Sequence, residues 1–208
     1  MSFIIFDTEY TTWPGCQENG WHGNQKKEIV QIAALKISDD WNVTDRFNTL
    51  CQPIINPKLS DYFIKLTRIT NEQVQKKGVS FASAYQKFES FVGNDICYSH
   101  AWGSDYQNES DGNIIRENLR LNQITASREI IYRNIAPVFN RLYNENNITI
   151  SKQASGEIVH LLGIEKNLAD LGLNVHNAFY DVYSIFEGLK FFYPQSKQLM
   201  EQLSQIQF

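Results

Sequence analysis

The spacing of apolar residues in the first part of the chain is that of β-strands. Residues 3–6 are continuously apolar, which is typical of a strand that is buried on both faces. Residues 28–37 predict a second strand and residues 43–51 a third, with the polar cluster 38–40 forming a turn between them. We expect these three strands to form an antiparallel meander.

The apolar spacing then changes to that of helices. Ser60 and Thr70 are followed by polar and apolar residues in the order that is typical of a helix N-terminus, so each is predicted to cap a short helix. Residues 81–92 carry apolar side chains at helical spacing, and Gly93 follows as a predicted helix stop.

Strands and helices alternate in the rest of the chain. Residues 95–99 and 129–132 predict a fourth and a fifth strand. The predicted helices cover residues 112–121, 135–144, 156–162, a segment that starts near Asn177, and 195–208. Three leading strands followed by strands alternating with helices predict an α/β fold, with a mixed sheet that is flanked by helices.

Composition narrows the class of protein. The chain has 208 residues, of which 42% are hydrophobic, and no apolar run has the length of a membrane-spanning helix. Cys16, Cys51 and Cys97 are scattered and form no metal-binding pair, so we expect a reducing, cytoplasmic environment. The net charge of −4 argues against coating of long nucleic acids but leaves room for a local binding groove. We expect residues 1–208 to form one domain.

Two carboxylates follow the first strand. Strand alternation places Asp7 and Glu9 on the same side as Ile5, at positions about 7 Å apart. Carboxylates at this spacing repel each other unless a proton or a cation compensates, and oxygen ligands suit Mg²⁺ or Mn²⁺. The alternative is that Asp7 and Glu9 are solvated polar residues that end the strand.

A second candidate lies near the end of the chain. Asp181 shares a helical face with the apolar residues Ala178 and Ile185. A carboxylate buried on such a face needs a partner, which a metal shared with Asp7 would supply. His176 precedes the helix, so it is expected in a loop above that metal. The alternative makes Asp181 a surface charge and His176 a flanking residue.

Four motifs occur in an order that resembles a known family. They are Phe6-Asp7-Thr8-Glu9, Leu66-Thr67-Arg68-Ile69-Thr70, Ser99-His100-Ala101-Trp102-Gly103-Ser104-Asp105 and His176-Asn177-Ala178-Phe179-Tyr180-Asp181. Together they resemble the DEDDh branch of the RNase H-like 3′–5′ exonucleases, over about residues 3–192. The resemblance implies an RNase H-like mixed sheet of five strands.

The first motif is similar to that of the Eri-like and sporulation-inhibitor-like exonucleases. Their motif runs D-x-E-x-T-x-W, and here Thr11 and Trp13 stand at the matching distances from Asp7. That subgroup is associated mainly with RNA, so the similarity implies an RNA substrate.

The chain departs from the family pattern at two places. Arg68 stands where the family segment usually has glycine, so the loop either tolerates the change or has a different shape, and Arg68 could contact a phosphate. Trp102 to Asp105 is one residue shorter than the Eri-like pattern, although the distance from His100 fits the broader family. We therefore expect Asp105 to be the third carboxylate of the site, with Asp111 as the less favoured substitute.

The resemblance implies a site with two divalent metal ions, Mg²⁺ or Mn²⁺. The implied metal ligands are Asp7, Glu9, Asp105 and Asp181. His176 is implied as the general base that accepts a proton from the attacking water, so these five residues form the implied catalytic set. The residues expected to contact the 3′-terminal nucleotide are Thr8, Tyr10, Thr11, Trp13, Leu66 and Thr67.

The implied activity is 3′–5′ exonuclease cleavage that releases nucleoside 5′-monophosphates from RNA or from short single-stranded 3′ ends. One alternative is a DNA exonuclease of the repair or proofreading type, and another is an inactive nucleic-acid-binding module on the same fold. Lys26 and Lys27 either flank the substrate path or belong to a solvated turn.

Overall fold

A sheet of five strands forms the centre of the described part of the protein. The computed structural model describes residues 2–101, 110–150 and 154–205. The strands are β1 (Phe3–Tyr10), β2 (Ile29–Ile37), β3 (Val43–Leu50), β4 (Cys97–Ser99) and β5 (Tyr132–Asn134). Their order in the sheet is β3-β2-β1-β4-β5.

The sheet has an antiparallel half and a parallel half. β1 pairs antiparallel with β2, which pairs antiparallel with β3, so the predicted meander is confirmed. β4 pairs parallel with β1, and β5 pairs parallel with β4. β1 therefore occupies the centre of the mixed sheet that the sequence predicted.

Helices cover both faces of the sheet. They are α1 (Cys16–Asn19), α2 (Asp61–Thr67), α3 (Asn71–Lys77), α4 (Phe81–Val92), α5 (Ser110–Leu121), α6 (Ala136–Glu145), α7 (Ile158–Leu161), α8 (Ala178–Phe191) and α9 (Gln195–Gln205). Short 3₁₀ helices precede and follow α7, at Ser155–Glu157 and Glu165–Leu171.

The two faces of β1 belong to different hydrophobic cores. Ile5 packs in the core formed with α6, α8 and α9, whereas Ile4 and Phe6 pack in the core formed with α4 and α5. Because side chains alternate along a strand, Asp7 lies on the α8 side of the sheet, the same side as Ile5.

The predicted helix caps are present. The Ser60 hydroxyl accepts a hydrogen bond from the Phe63 N–H, and Thr70 forms a full capping box with Gln73. Gly93 ends α4, and its positive φ of 63° is a conformation that glycine adopts without steric cost.

Two predicted elements differ from the structure. The fifth strand was expected at 129–132 but lies at 132–134, where pairing with β4 fixes its position. Asn134 looks like a loop residue in the sequence, yet its buried side-chain oxygen accepts hydrogen bonds from the backbone N–H groups of Ala101 and Ala136. The helix expected at 156–162 begins as a 3₁₀ turn and continues as the short α7.

Among the described residues, no helix combines the length and the apolar character that crossing a membrane requires.

Candidate active site

Three carboxylates meet at the end of the central strand. Asp7 and Glu9 come from β1 and Asp181 from the first turn of α8. One oxygen atom from each lies within 4.8 Å of the others. Asp7 and Asp181 are buried, and Glu9 is half-buried. The structure thus brings together three of the four carboxylates that the motifs nominate.

Gln31 fixes the start of α8 next to these carboxylates. It lies on β2 directly opposite Glu9, and its side-chain oxygen accepts the Ala178 N–H at 3.0 Å. Its side-chain amide donates to the Asn177 side-chain oxygen at 3.3 Å, and that oxygen also accepts the Phe179 N–H. The sequence carries a signal for this role, since a polar residue inside an apolar strand needs buried partners.

Ser155 and Gly156 lie directly against the Asp181 carboxylate. The Ser155 hydroxyl lies 3.3 Å from an Asp7 oxygen and 3.2 Å from an Asp181 oxygen, so its proton can be donated to either carboxylate. A Cβ atom on Gly156 would lie 2.2 Å from an Asp181 oxygen, so only glycine leaves that carboxylate in place. Sequence reasoning missed both residues, because a serine–glycine pair ahead of a helix resembles an ordinary turn.

The electrostatics of the cluster favour a bound cation. Burial and the neighbouring carboxylates raise the pKa of Asp7 and of Glu9 well above the ordinary range. Burial raises the pKa of Asp181 to about 8, against hydrogen bonds that lower it. Three acids that resist ionisation, with oxygen atoms converging on one place, form a donor set that suits a hard divalent cation.

Asp111 is a fourth carboxylate beside the cluster. It lies in the first turn of α5 and is buried. Its Oδ1 accepts hydrogen bonds from the Thr8 hydroxyl at 2.6 Å and from the Thr8 N–H at 3.2 Å. Burial raises the pKa of Asp111 to about 6, and its charge contributes to the raised pKa of Asp7. Asp105 lies outside the described residues.

The short length of β4 explains how Asp111 reaches the site. The Ile4 N–H donates to the Ile96 carbonyl beside β1, but β4 ends at Ser99. The Thr8 N–H, on the same edge of β1, donates to Asp111. The Asp111 carboxylate therefore accepts the hydrogen bond that a longer β4 would accept.

His176 lies in the loop before α8, as the sequence predicts. Its φ of 65° is left-handed, which is uncommon outside glycine, and its backbone N–H donates to Asp181 Oδ1 at 3.3 Å. The side chain is half-buried, and burial lowers the pKa of the imidazole below its usual value. The ring is therefore neutral at pH 7 and able to accept a proton.

The hydroxyl groups of the three predicted substrate-binding threonines are used inside the protein. Thr8 donates to Asp111. Thr11 donates to the Lys26 carbonyl and accepts the Glu28 N–H. Thr67 donates to the Phe63 carbonyl within α2. The side chains of the other three predicted contacts, Tyr10, Trp13 and Leu66, are half-buried.

Arg68 has a left-handed backbone conformation of the kind that favours glycine. It is the C-cap of α2, with φ 64° and ψ 7°, and its N–H donates to the Ile64 carbonyl at 2.9 Å. The departure from the family pattern therefore places an arginine in a conformation that glycine adopts without steric cost.

The sheet order, the carboxylates at the end of its central strand, and a histidine five residues before the helical aspartate agree with the resemblance to DEDDh-type 3′–5′ exonucleases. The chain belongs to the Exonuclease family (RNase T), whose model matches residues 4–187.

Comparisons with individual proteins agree with this family. ERI1 exoribonuclease 2 from Xenopus laevis is 32% identical over 90 residues, a match that covers 43% of this chain and 12% of that protein. The nuclease domain of 3′hExo, a DEDDh family member solved with rAMP, has a TM-score of 0.61 at 16% identity, covering 96% of this chain and 92% of that one. A zinc-bound complex of E. coli exonuclease I with single-stranded DNA has a TM-score of 0.66 at 18% identity, covering 97% of this chain and 42% of that one.

Proposed function

We propose that the protein is a divalent-metal-dependent 3′–5′ exonuclease that removes nucleoside 5′-monophosphates from single-stranded 3′ ends, with RNA as the preferred substrate. The observation that carries the proposal is the convergence of Asp7, Glu9 and Asp181 at the end of the central strand. Family membership supplies the reaction class.

Asp7, Glu9 and Asp181 would hold Mg²⁺ or Mn²⁺, and Asp111 would complete the carboxylate set. Two divalent ions in such a site would bind the scissile phosphate, acidify the attacking water and stabilise the leaving oxygen. Cation binding is favoured here, because three buried carboxylates and the half-buried Glu9 repel one another until positive charge is bound. The Ser155 hydroxyl lies between Asp7 and Asp181 and can donate its proton to either carboxylate.

His176 would act as the general base. Its imidazole, neutral at pH 7 because burial lowers its pKa, can accept the proton of the attacking water. The loop that carries His176 is tied to the cluster through the hydrogen bond from its own backbone N–H to Asp181.

The preference for RNA rests on the sequence relative. ERI1 exoribonuclease 2 is named for activity on RNA, and the segment at Asp7 to Trp13 resembles the first motif of the Eri-like exonucleases. A DNA substrate is the second candidate, because the fold is also similar to that of exonuclease I, which was solved with single-stranded DNA.

Digestion of 5′-labelled RNA and DNA oligonucleotides of matched sequence tests the proposal directly. We expect one-nucleotide ladders that shorten from the 3′ end in Mg²⁺ or Mn²⁺, loss of cleavage in EDTA, and faster cleavage of RNA. Faster cleavage of DNA would select the second candidate. Absence of cleavage of either strand by the Mn²⁺-loaded protein would leave the inactive module as the correct interpretation.

A further inference from the structure

A polar pocket of about 480 Å³ lies between residues 16–27 and helix α5. Its lining includes Gln17, Trp21, Lys26, Lys27 and Glu117. We call it the lysine pocket. The exonuclease reaction proposed above requires none of these side chains.

Tyr10 lies beside the lysine pocket at the end of β1. It directly follows Glu9, but its ring packs on the α4–α5 side of the sheet, because side chains alternate along a strand and Asp7 lies on the α8 side. Its ring centre lies 5.9 Å from that of Trp21. The pocket is therefore placed on the α5 side of the strand that carries Asp7 and Glu9.

Hydrogen bonds from three other residues hold the backbone of the two lysines. The Lys26 carbonyl accepts the Thr11 hydroxyl, and the Lys26 N–H donates to the Asn56 side chain at 3.0 Å. The Lys27 carbonyl accepts the Asn118 side-chain amide at 2.8 Å. These hydrogen bonds fix the backbone from which both lysine side chains extend, which a freely solvated turn does not do.

The ammonium groups themselves are available. The Lys27 Nζ lies 4.3 Å from the centre of the Trp21 ring, and this cation–π contact holds it over the pocket. In the part of the chain that the structure describes, neither Lys26 nor Lys27 forms an ion pair with a carboxylate.

We propose that the lysine pocket binds backbone phosphates of the single strand upstream of the 3′-terminal nucleotide. The proposal rests on the proposed exonuclease function and adds the path by which the strand reaches the carboxylates. Lys26 and Lys27 supply positive charge, and Tyr10 and Trp21 offer aromatic surface beside the pocket, at the end of β1. Glu117 opposes phosphate binding and limits its strength.

Binding of a fluorescein-labelled single-stranded oligonucleotide, as RNA and as DNA, tests the pocket without requiring cleavage. Fluorescence anisotropy in EDTA over a series of KCl concentrations gives the affinity and its salt dependence. We expect Lys26→Gln and Lys27→Gln each to weaken binding about fivefold and to lower the slope of log K against log salt by about 0.7 per lost phosphate contact. Glu117→Gln should tighten binding.

Lys87→Gln is the matched control, because it removes the same charge from an exposed lysine of α4. We expect its affinity and salt slope to equal those of the unmodified protein. Equal effects of Lys87→Gln and Lys27→Gln would show a general charge effect and overturn the proposal. No binding of either strand by the unmodified protein would overturn it as well.

Hydrolysis of thymidine 5′-monophosphate p-nitrophenyl ester separates the pocket from the chemistry, since this substrate has no upstream phosphate. We expect the lysine variants to hydrolyse it at the unmodified rate while they degrade the oligonucleotide more slowly. Equal loss on both substrates would contradict the proposed path. If the unmodified protein binds strands more tightly than the lysine variants do but hydrolyses neither substrate, the proposed exonuclease function is wrong. The proposal that the lysine pocket binds phosphates is then still supported.

Discussion

Asp181 is the most constrained side chain of the site. One of its oxygens faces the Ser155 hydroxyl, the other accepts the His176 N–H, and the latter oxygen also faces Gly156. Contacts from the chain on both sides of the carboxylate leave it little freedom to rotate. The carboxylate is therefore held in place before a metal binds, which lowers the cost of ordering it on binding.

Gly156→Ala should displace Asp181, because the new methyl group would lie 2.2 Å from its Oδ1. A displacement of about 1 Å can cost about 100-fold in rate, so we expect a loss of that order together with weaker Mn²⁺ binding by calorimetry. Gly188→Ala is the matched control, since its methyl group would meet Ile158 and Phe139 in the core. It should lower the melting temperature and leave Mn²⁺ affinity unchanged. Unaltered Mn²⁺ binding in Gly156→Ala would show that Gly156 is not needed to keep Asp181 in position.

The identity of the third acidic ligand is decided by two substitutions. Asp111→Asn should abolish most of the activity, because Asp111 is buried against Thr8 and interacts electrostatically with Asp7. Asp105→Asn should retain activity. Turnover of both variants on a labelled oligonucleotide, with folding verified by circular dichroism, gives the answer. The reverse pair of phenotypes would restore Asp105, which the distance from His100 favours.

His176→Ala should lower kcat by about 10²- to 10⁴-fold, the usual contribution of a general base. Because burial lowers the pKa of His176, the acidic limb of the wild-type pH–rate profile should lie below pH 6.5 and should flatten in the variant. Mn²⁺ affinity should not change, since the residue is assigned to proton transfer. Loss of Mn²⁺ binding would instead make His176 a metal ligand.

At the scale of elements, local sequence signals determine where helices begin and end. Arg68 is the informative case, because it ends α2 in the left-handed conformation that glycine adopts without steric cost. Its side chain is exposed, so few packing contacts depend on it.

Arg68→Gly should therefore stabilise the protein by about 1 kcal/mol, which corresponds to a rise in melting temperature of about 2–4 °C for a chain of this size. Arg68→Ala removes the same side chain but keeps the steric cost, so it should be close to neutral. Urea denaturation of the three proteins measures the difference. Equal stability of the glycine and alanine variants would contradict the assigned strain.

Local patterns predicted the meander, β1 and the helix that carries Asp181. The strands have a clear pattern of apolar residues, and the helix has apolar residues at helical spacing. They did not predict β5 correctly, because its position depends on pairing with β4. Ser155 was missed for the same reason, since its role comes from contacts with Asp7 and Asp181, at sequence distances of 148 and 26 residues. Contacts that arise only after folding leave no periodic trace in the sequence.

At the scale of the whole molecule, the buried carboxylates act against the stability of the metal-free protein. Folding brings Asp7, Glu9, Asp111 and Asp181 out of water and close to one another. The hydrophobic cores on the two faces of the sheet must offset that cost, as is common where a site is built for function.

The pKa values of the carboxylates determine how the free-energy cost of burying them changes with pH. Burial raises the pKa of Asp181 from 3.8 to about 8 and that of Asp111 to about 6. Below pH 4 the acids are protonated in both the folded and the unfolded chain. Folding then buries neutral carboxyl groups, so the carboxylate cluster does not destabilise the folded state through its charge. As the pH rises toward 8, the unfolded chain ionises first, and the folded state loses stability relative to it.

We therefore expect the melting temperature of the EDTA-treated protein to fall relative to that of Asp181→Asn as the pH rises from 4 to 8. Asparagine has no proton to lose, so subtracting the two curves cancels the titration of distant groups such as Glu89, whose pKa is lowered. Saturating Mn²⁺ should reverse the difference at pH 8, because the ion stabilises the four ionised carboxylates of the unmodified protein but has one ligand fewer in the variant. Differential scanning fluorimetry at matched ionic strength measures both. A difference that stays constant with pH in EDTA would show that Asp181 ionises at its ordinary pKa and that the cluster has no need of a cation.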